Sequence, residues 1–161
     1  MPCHSALLEN VVVARPETLV EKVLTDMRKK KARLCAVVDE DGALLGYLDM
    51  QVLLKNLLPV SLSIQVPGQS AEMMVGAAPG IAKRLRKVKP VAVSNVMERK
   101  LHSVLPNTPL WEGVQLLVEF GSPVFVLDEG SENYIGAMDE TTAIAELERM
   151  QDEPGGMESH G

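Results

Sequence analysis

Two short segments with the same order of residue types place a carboxylate at matching positions. Residues 46–49 read Gly-Tyr-Leu-Asp, and residues 136–139 read Gly-Ala-Met-Asp. Asp49 and Asp139 each precede an apolar segment, where a carboxylate can accept hydrogen bonds from the first free amides of a helix. Either could instead contact an amine, a hydroxyl group or a cation of a ligand. The pattern favours N-caps and leaves ligand binding open.

Two threonines form a second matched pair. Thr18 follows Pro16 by two residues, as Thr108 follows Pro106, and Pro106 lies 90 residues after Pro16. Apolar residues at helical spacing follow each threonine, so we expect both hydroxyl groups to be N-caps. Contact with a ligand is again the alternative.

Positive charge is concentrated in the middle of a chain whose formal net charge is −6. The residues concerned are Lys83, Arg84, Arg86, Lys87, Lys89, Arg99, Lys100 and His102. Such a run is usually a solvated helix face. Alternatively, the basic residues could face the acidic stretch 128–153 of another subunit.

The remaining reactive residue types do not form a site. His4, His102 and His160 share no metal-ligand spacing with cysteines or carboxylates, and no nucleophile, base and orienting group occur in a known pattern. Cys3 and Cys35 form no Cys-x-x-Cys pair, which favours a reducing compartment. We therefore expect no bound metal and no enzyme activity, and a buried, inert thiol at Cys35.

Composition excludes several classes of protein. The chain has 161 residues, of which 46% are hydrophobic and 24% charged, as in an ordinary globular protein. Aromatic residues make up 3%, too few for a nucleic-acid stacking platform, and the net charge opposes phosphate-backbone binding. No export signal or membrane-spanning apolar run is visible. We expect a cytoplasmic protein that binds neither nucleic acid nor membranes.

The matched residues belong to two repeats of one element order. In each, a short β-branched strand, an amphipathic helix, an apolar strand, an acidic turn, a second strand and a last helix follow one another. This predicts β-α-β-β-α twice, over residues 9–58 and 94–150. The helix positions expected to be apolar and buried are Val20, Val23, Leu24 and Met27, then Met50, Leu53, Leu54, Leu57 and Leu58, and in the second repeat Leu110, Val114, Leu117 and Val118.

Two segments lie outside the repeats. Residues 59–93 are rich in Pro and Gly, and we expect a connector with a short basic helix, whose residues Ile81, Leu85 and Val88 share one face. Residues 151–161 have no periodicity, so we expect a frayed tail.

The repeats resemble the cystathionine-β-synthase (CBS) domain, and two in tandem resemble a Bateman module. The resemblance rests on the Val-Val-Asp-Glu-Asp-Gly of residues 37–42, the Leu-Gly of residues 45–46, the Pro-x-Thr pairs, and their order in both copies. It implies an α/β (α+β) fold in which two β-α-β-β-α repeats pack with pseudo-two-fold symmetry and leave clefts between their sheets. It also implies a homodimer that regulates an unknown protein after binding an adenine nucleotide such as AMP, ADP or ATP.

This chain departs from the sequence signature by which members of the family bind nucleotides. Family members that bind nucleotides usually end the repeat with Gly-h-h-Thr/Ser-x-x-Asp, where h is an apolar residue and x any residue. The hydroxyl contacts phosphate and the Asp contacts the ribose. This chain has Asp49 and Val52 in one copy, and Asp139 and Thr142 in the other. The ligand-binding residues that the resemblance and the residue types suggest are Thr18, Asp49, Arg99, Lys100, Thr108, Asp139 and Thr142. A ligand-free scaffold or dimerisation module is the alternative function.

Overall fold

The element order follows the expected duplication. The computed structural model describes residues 2–58 and 71–152, and of residues 71–79 it describes the backbone alone. The first repeat contains β1 (Val12–Ala14), α1 (Val20–Lys30), β2 (Leu34–Val38), β3 (Leu44–Asp49) and α2 (Met50–Leu57). After α3 (Ala71–Val88), the second contains β4 (Ser103–Val104), α4 (Leu110–Phe120), β5 (Val124–Leu127), β6 (Tyr134–Met138) and α5 (Glu140–Asp152). The mixed α+β class and the two β-α-β-β-α repeats are confirmed.

Each repeat builds a three-stranded sheet. The strand orders are β1-β2-β3 and β4-β5-β6. β1 pairs in parallel with β2 and β4 in parallel with β5, because a helix separates the two strands of each pair in the chain. β5 and β6 pair antiparallel. The same topology therefore places Asp49 at the end of β3 and Asp139 directly after β6.

The chain divides into two compact units, and the first contains Val12–Asp39 and the described parts of Leu45–Arg99. Its core packs α1 and α2 against the strands, with every residue of β2 buried. The segment just before the second repeat completes this unit, since the amide of Val93 donates to the Thr18 carbonyl at 2.7 Å and the amide of Val20 donates to the Val91 carbonyl at 2.9 Å. A 3-10 turn over Val93–Asn95 buries Val93 in the same core.

The second unit comprises Glu40–Leu44 with the described parts of Met1–Val11 and Lys100–Gly161. Its core includes Cys3 and Ala6 from a 3-10 turn over Cys3–Ala6. The amide of Cys3 donates to the Thr108 carbonyl and the amide of Leu8 donates to the Ala137 carbonyl, both at 2.8 Å. The residues that precede the first repeat therefore pack on the elements of the second, a connection that the repeat pattern does not predict.

Two predicted helix faces are only partly correct. On α4, Leu110 and Leu117 are buried, as expected, but Val118 is 83% exposed and Gly113 is the third buried residue. A Cβ atom at Gly113 would lie 2.9 Å from the Sγ atom of Cys3, so glycine is required there for the 3-10 turn to pack closely. On α2, Leu53 and Leu57 are buried, as expected; the apolar residues of the predicted face that are exposed are Met50, Leu54 and Leu58.

The connector contains a longer helix than expected, because α3 continues through the Pro-Gly pair at residues 79–80. The basic face is confirmed: Ile81, Leu85 and Val88 are half-buried while Lys83 is exposed. Residues 151–152 still belong to α5, so the helix extends beyond the predicted start of the frayed tail. The predicted connector at 59–70 and the tail from 153 lie outside the described residues.

Cys35 is fully buried in β2, and burial, followed by the charge of Asp26, raises its pKa to about 12. The thiol should therefore stay unreactive toward a thiol reagent at pH 8 until the protein unfolds. The unfolded thiol ionises near pH 9.0 while the folded one keeps its proton, so the free energy of unfolding should fall between about pH 9 and 12. Denaturant titrations of wild type and Cys35→Ala across this range would show a shallower decline in the variant; equal slopes would contradict the prediction.

Candidate functional site

A groove beside the N-terminus of α2 brings four cationic side chains of the first unit together. It has a volume of about 770 Å³ and is lined by Arg28, Lys31, Arg33 and Lys89, with Asp49 at one side. We call it the basic groove. Its apolar floor is formed by Leu24, Met27, Leu53 and Leu85. An apolar lining with a few charged groups around it is typical of a site for a small ligand that has an apolar body and an anionic end.

The end of α1 fixes three of these cations. Lys31 adopts a left-handed conformation with φ of 55°, and the amide of Ala32 donates to the Met27 carbonyl at 2.8 Å. This C-cap turns the chain directly from the helix into β2, so that Arg28, Lys31 and Arg33 line the same groove. Cations are also favoured near the carbonyl end of a helix. Of the described carboxylates, none forms an ion pair with Arg28, Lys31, Arg33 or Lys89.

Asp49 is an N-cap, as expected. Its Oδ1 atom accepts a hydrogen bond from the amide of Val52 at 2.8 Å, and the side chain also lines the basic groove. Burial, and next the carboxylates of Asp49 and Glu98, raise the pKa of the Tyr47 phenol. One oxygen of Asp49 is therefore committed to the helix, while the carboxylate as a whole contributes negative charge to a groove of cations.

The cap makes a testable contribution to stability. Asp49→Ala should lower the free energy of unfolding by about 1 kcal/mol because the Val52 amide loses its acceptor. Asp49→Asn should leave the free energy of unfolding within about 0.3 kcal/mol of the wild-type value, since asparagine caps helices as well as aspartate does. Urea titrations of the two variants distinguish these results, and equal losses would show that charge rather than capping is what Asp49 supplies.

Asp139 and Thr142 cap α5 reciprocally. The amide of Thr142 donates to Oδ1 of Asp139 at 2.9 Å, and the amide of Asp139 donates to Oγ1 of Thr142 at 3.0 Å. The Thr142 hydroxyl also donates to the Asp139 carbonyl at 3.1 Å. The prediction of capping at Asp139 is confirmed. The hydroxyl of Thr142, suggested as a ligand contact, already has a donor and an acceptor in this box.

The N-cap assignment of Thr18 and Thr108 is wrong. The caps of α1 and α4 are Leu19 and Pro109, with no side-chain hydrogen bond. Each threonine instead closes the turn before its helix: Oγ1 of Thr18 accepts from the amide of Arg15 at 3.3 Å, and Oγ1 of Thr108 accepts from the amide of Leu105 at 3.0 Å. The chain still has to turn out of the strand at these residues, so the hydroxyls stabilise the turn.

Arg99 and Lys100 are both exposed. The Nη2 atom of Arg99 donates to the Ser94 carbonyl at 2.9 Å, which holds the guanidinium against the backbone of its own segment. Thr18, Asp49 and Arg99 belong to the first unit, and Lys100, Thr108, Asp139 and Thr142 to the second. Their roles in ligand binding stay predictions.

Sequence reasoning missed the four cations of the basic groove as a group. A signal was present, because residues 28–33 read Arg-Lys-Lys-Lys-Ala-Arg at the end of α1.

Among residues 2–58 and 71–152, no three His, Cys, Asp or Glu side chains form a cluster that could hold a metal ion. None of the helices in those ranges combines the length and the apolar content needed to cross a membrane.

Comparisons with known proteins agree with this architecture. The family model described as the CBS domain matches residues 6–59. The fold is similar to that of the CBS-pair protein CBSX2 from Arabidopsis thaliana, with a TM-score of 0.70 and 18% identity over 94% of this chain and 97% of that one. A CBS domain-containing protein of unknown function from Bacillus anthracis has a TM-score of 0.68 and 11% identity over 92% and 94% of the chains.

The complex of CBSX2 with AMP is also similar, with a TM-score of 0.66 and 18% identity over 93% of this chain and 98% of that one. A search of curated protein sequences finds no match. The two three-stranded sheets and the helices of the described residues thus define a mixed α+β protein with the fold of CBS-pair proteins. The match of the CBS-domain model to residues 6–59 and the shared fold are consistent with a tandem CBS, or Bateman, module.

Proposed function

We propose that this protein is a regulatory module that binds an adenine nucleotide, AMP, ADP or ATP, in the basic groove of its first unit. The observation that carries the proposal is the set of four cations around an apolar floor, none paired with a described carboxylate. Support also comes from the fold, since CBSX2, a protein of the same fold, has been crystallised with AMP.

The chemistry of the groove matches the two ends of such a ligand. Arg28 and Arg33 offer guanidinium forks to phosphate oxygens, and Lys31 and Lys89 add mobile ammonium groups. The floor of leucine and methionine side chains offers an apolar surface to the purine. Asp49 can accept from a ribose hydroxyl or an amine, but its charge repels phosphate, so the phosphate binds on the arginine side.

Regulation follows from where the groove lies. Its walls come from α1, α2 and α3, so a ligand that contacts all three favours the conformation in which they are held together. A ligand shifts a conformational equilibrium only by its differential affinity for the two states. The module would act on an unknown partner protein and would itself catalyse no reaction. Its free, buried thiols fit a reducing compartment such as the cytoplasm.

A thermal-shift series with AMP, ADP and ATP tests the proposal. A nucleotide present at about 100 times its Kd should raise the melting temperature by roughly 5–10 °C. Inorganic phosphate at equal concentration serves as the control for a purely ionic effect. Melting temperatures that stay flat with all three nucleotides up to millimolar concentration, or that phosphate reproduces, would overturn nucleotide sensing.

A scaffold or dimerisation module is the second candidate, favoured by exposed apolar helix faces. On α4 and α5, Val118, Ile144 and Leu147 are 83%, 55% and 41% exposed, and on α2 Leu54 is 59% exposed. Large exposed apolar side chains in contiguous positions mark interaction surfaces. A second copy of the chain is the partner that the homodimer proposal requires. Sedimentation that gives a dimer mass with and without AMP, together with a flat thermal shift, would favour this function.

A further inference from the structure

A second cavity, in the unit that holds the second repeat, has the opposite charge. It has a volume of about 720 Å³ and lies between β4, α4 and the turn from β5 to β6. Trp111, Glu112 and Glu132 line it, with Gln115 and Ser103. We call it the acidic cavity. Its size falls within the range of small-molecule sites, which is about 300–1,000 Å³.

The residue types around this cavity suit a cation. Trp111 is 65% exposed, so much of its indole ring is accessible, and an indole face is the best aromatic partner for a cationic group. Glu112 and Glu132 are exposed carboxylates in the same lining. The described residues that line the cavity include no lysine, arginine or histidine. Neither carboxylate has an ion-pair partner among the described residues.

The walls are held by hydrogen bonds that do not use these two carboxylates. The turn before α4 is closed by the Leu105 amide, which donates to Oγ1 of Thr108 at 3.0 Å. The loop with Glu132 is fixed through its backbone, since the Leu44 amide donates to the Glu132 carbonyl at 2.9 Å. Both carboxylates therefore remain available for a ligand while their backbones are positioned by the fold.

We propose that the acidic cavity binds a small organic cation that carries a substituted ammonium group. The cation lies against the Trp111 ring and between the charges of Glu112 and Glu132. A substituted ammonium suits this site better than a metal ion, because its alkyl groups contact the indole and the apolar wall of Val104, Leu105 and Leu116. This site is independent of the nucleotide proposal, since it lies in the other unit and selects the opposite charge.

The tryptophan provides a direct readout. Trp111 is the chain's one tryptophan, so intrinsic indole emission reports on the surroundings of this side chain, which lines the acidic cavity. Titration of the full chain with tetramethylammonium chloride should give a saturable change in emission with a Kd of about 1 mM. Sodium chloride at the same ionic strength should give no saturable change. A linear response, or one that sodium chloride reproduces, would overturn the proposal.

A charge-matched pair of variants separates specific binding from the general field. Glu112→Gln with Glu132→Gln should weaken tetramethylammonium binding about fivefold, the effect of two partly exposed charges. Glu119→Gln with Glu148→Gln removes the same charge from exposed positions that do not line the cavity, and should leave the Kd unchanged. Circular dichroism confirms that both are folded. Equal effects of the two double variants would contradict the site, and so would calorimetry that finds unchanged binding in Trp111→Leu.

Discussion

Replacing Arg28 and Arg33 together by glutamine is expected to weaken AMP binding about tenfold. Each arginine supplies a partly screened charge worth about 0.7 kcal/mol to a phosphate, and 1.4 kcal/mol corresponds to a factor of ten in Kd. Isothermal titration calorimetry of the wild type and the double variant at moderate ionic strength measures the difference. The loss should shrink as salt is added, because both side chains are exposed to solvent.

Two controls make this result specific. Arg86→Gln with Lys87→Gln removes the same charge from exposed positions of α3 that do not line the basic groove, and should leave AMP affinity within twofold, about 0.4 kcal/mol. Asp49→Asn should strengthen AMP binding, because it removes a negative charge from the groove while an acceptor for the Val52 amide remains. If both double variants weaken binding equally, the nucleotide does not bind at the basic groove.

The largest expected effect on folding comes from Gly46→Ala. An ideal Cβ atom at Gly46 would lie 2.6 Å from the backbone oxygen of Glu98 and 2.8 Å from Sδ of Met97. The backbone contact cannot relax cheaply, because the Tyr47 and Glu98 backbones exchange hydrogen bonds at 3.0 and 2.8 Å. We expect a loss of about 3 kcal/mol in the free energy of unfolding, at the upper end for overpacking, and a melting temperature lower by roughly 6–12 °C.

Gly80→Ala is the matched control for this substitution. Gly80 lies within α3, and among the described residues no atom outside the local helix backbone and the adjacent residues comes within 4 Å of its Cβ position. The same added methyl group should there increase stability by up to about 1 kcal/mol, since alanine favours a helix over glycine. Differential scanning calorimetry of both variants measures the two signs. A Gly46→Ala protein as stable as the wild type would mean that β3 and the 97–98 segment are not packed as described.

The duplicated element order could be predicted because it depends on local patterns. The helical spacing of Val20, Val23 and Met27 and the apolar run before Asp39 determine a helix and a buried strand without reference to distant residues. Asp49 and Asp139 could likewise be predicted as caps, because the acceptor and the amide are three residues apart.

What could not be predicted depends on contacts between distant parts of the chain. Cys3 packs against Gly113, so the face of α4 that carries Gly113, and not the one that carries Val118, is turned toward the core of the second unit. The basic groove combines the end of α1 with Lys89 from beyond α3, and only the folded chain places these charges together. Thr18 illustrates a different limit, because a hydroxyl one residue before the N-cap can serve the preceding turn equally well.

Backbone amide chemical-shift mapping during an AMP titration would show whether an adenine nucleotide binds the basic groove. We expect saturable shifts concentrated at the end of α1, in residues 28–33, and at the start of α2, in residues 49–53. Small or absent shifts in residues 134–152 would complete the expected pattern. A spectrum that does not change up to millimolar AMP, or shifts that saturate only outside residues 28–33 and 49–53, would contradict the claim.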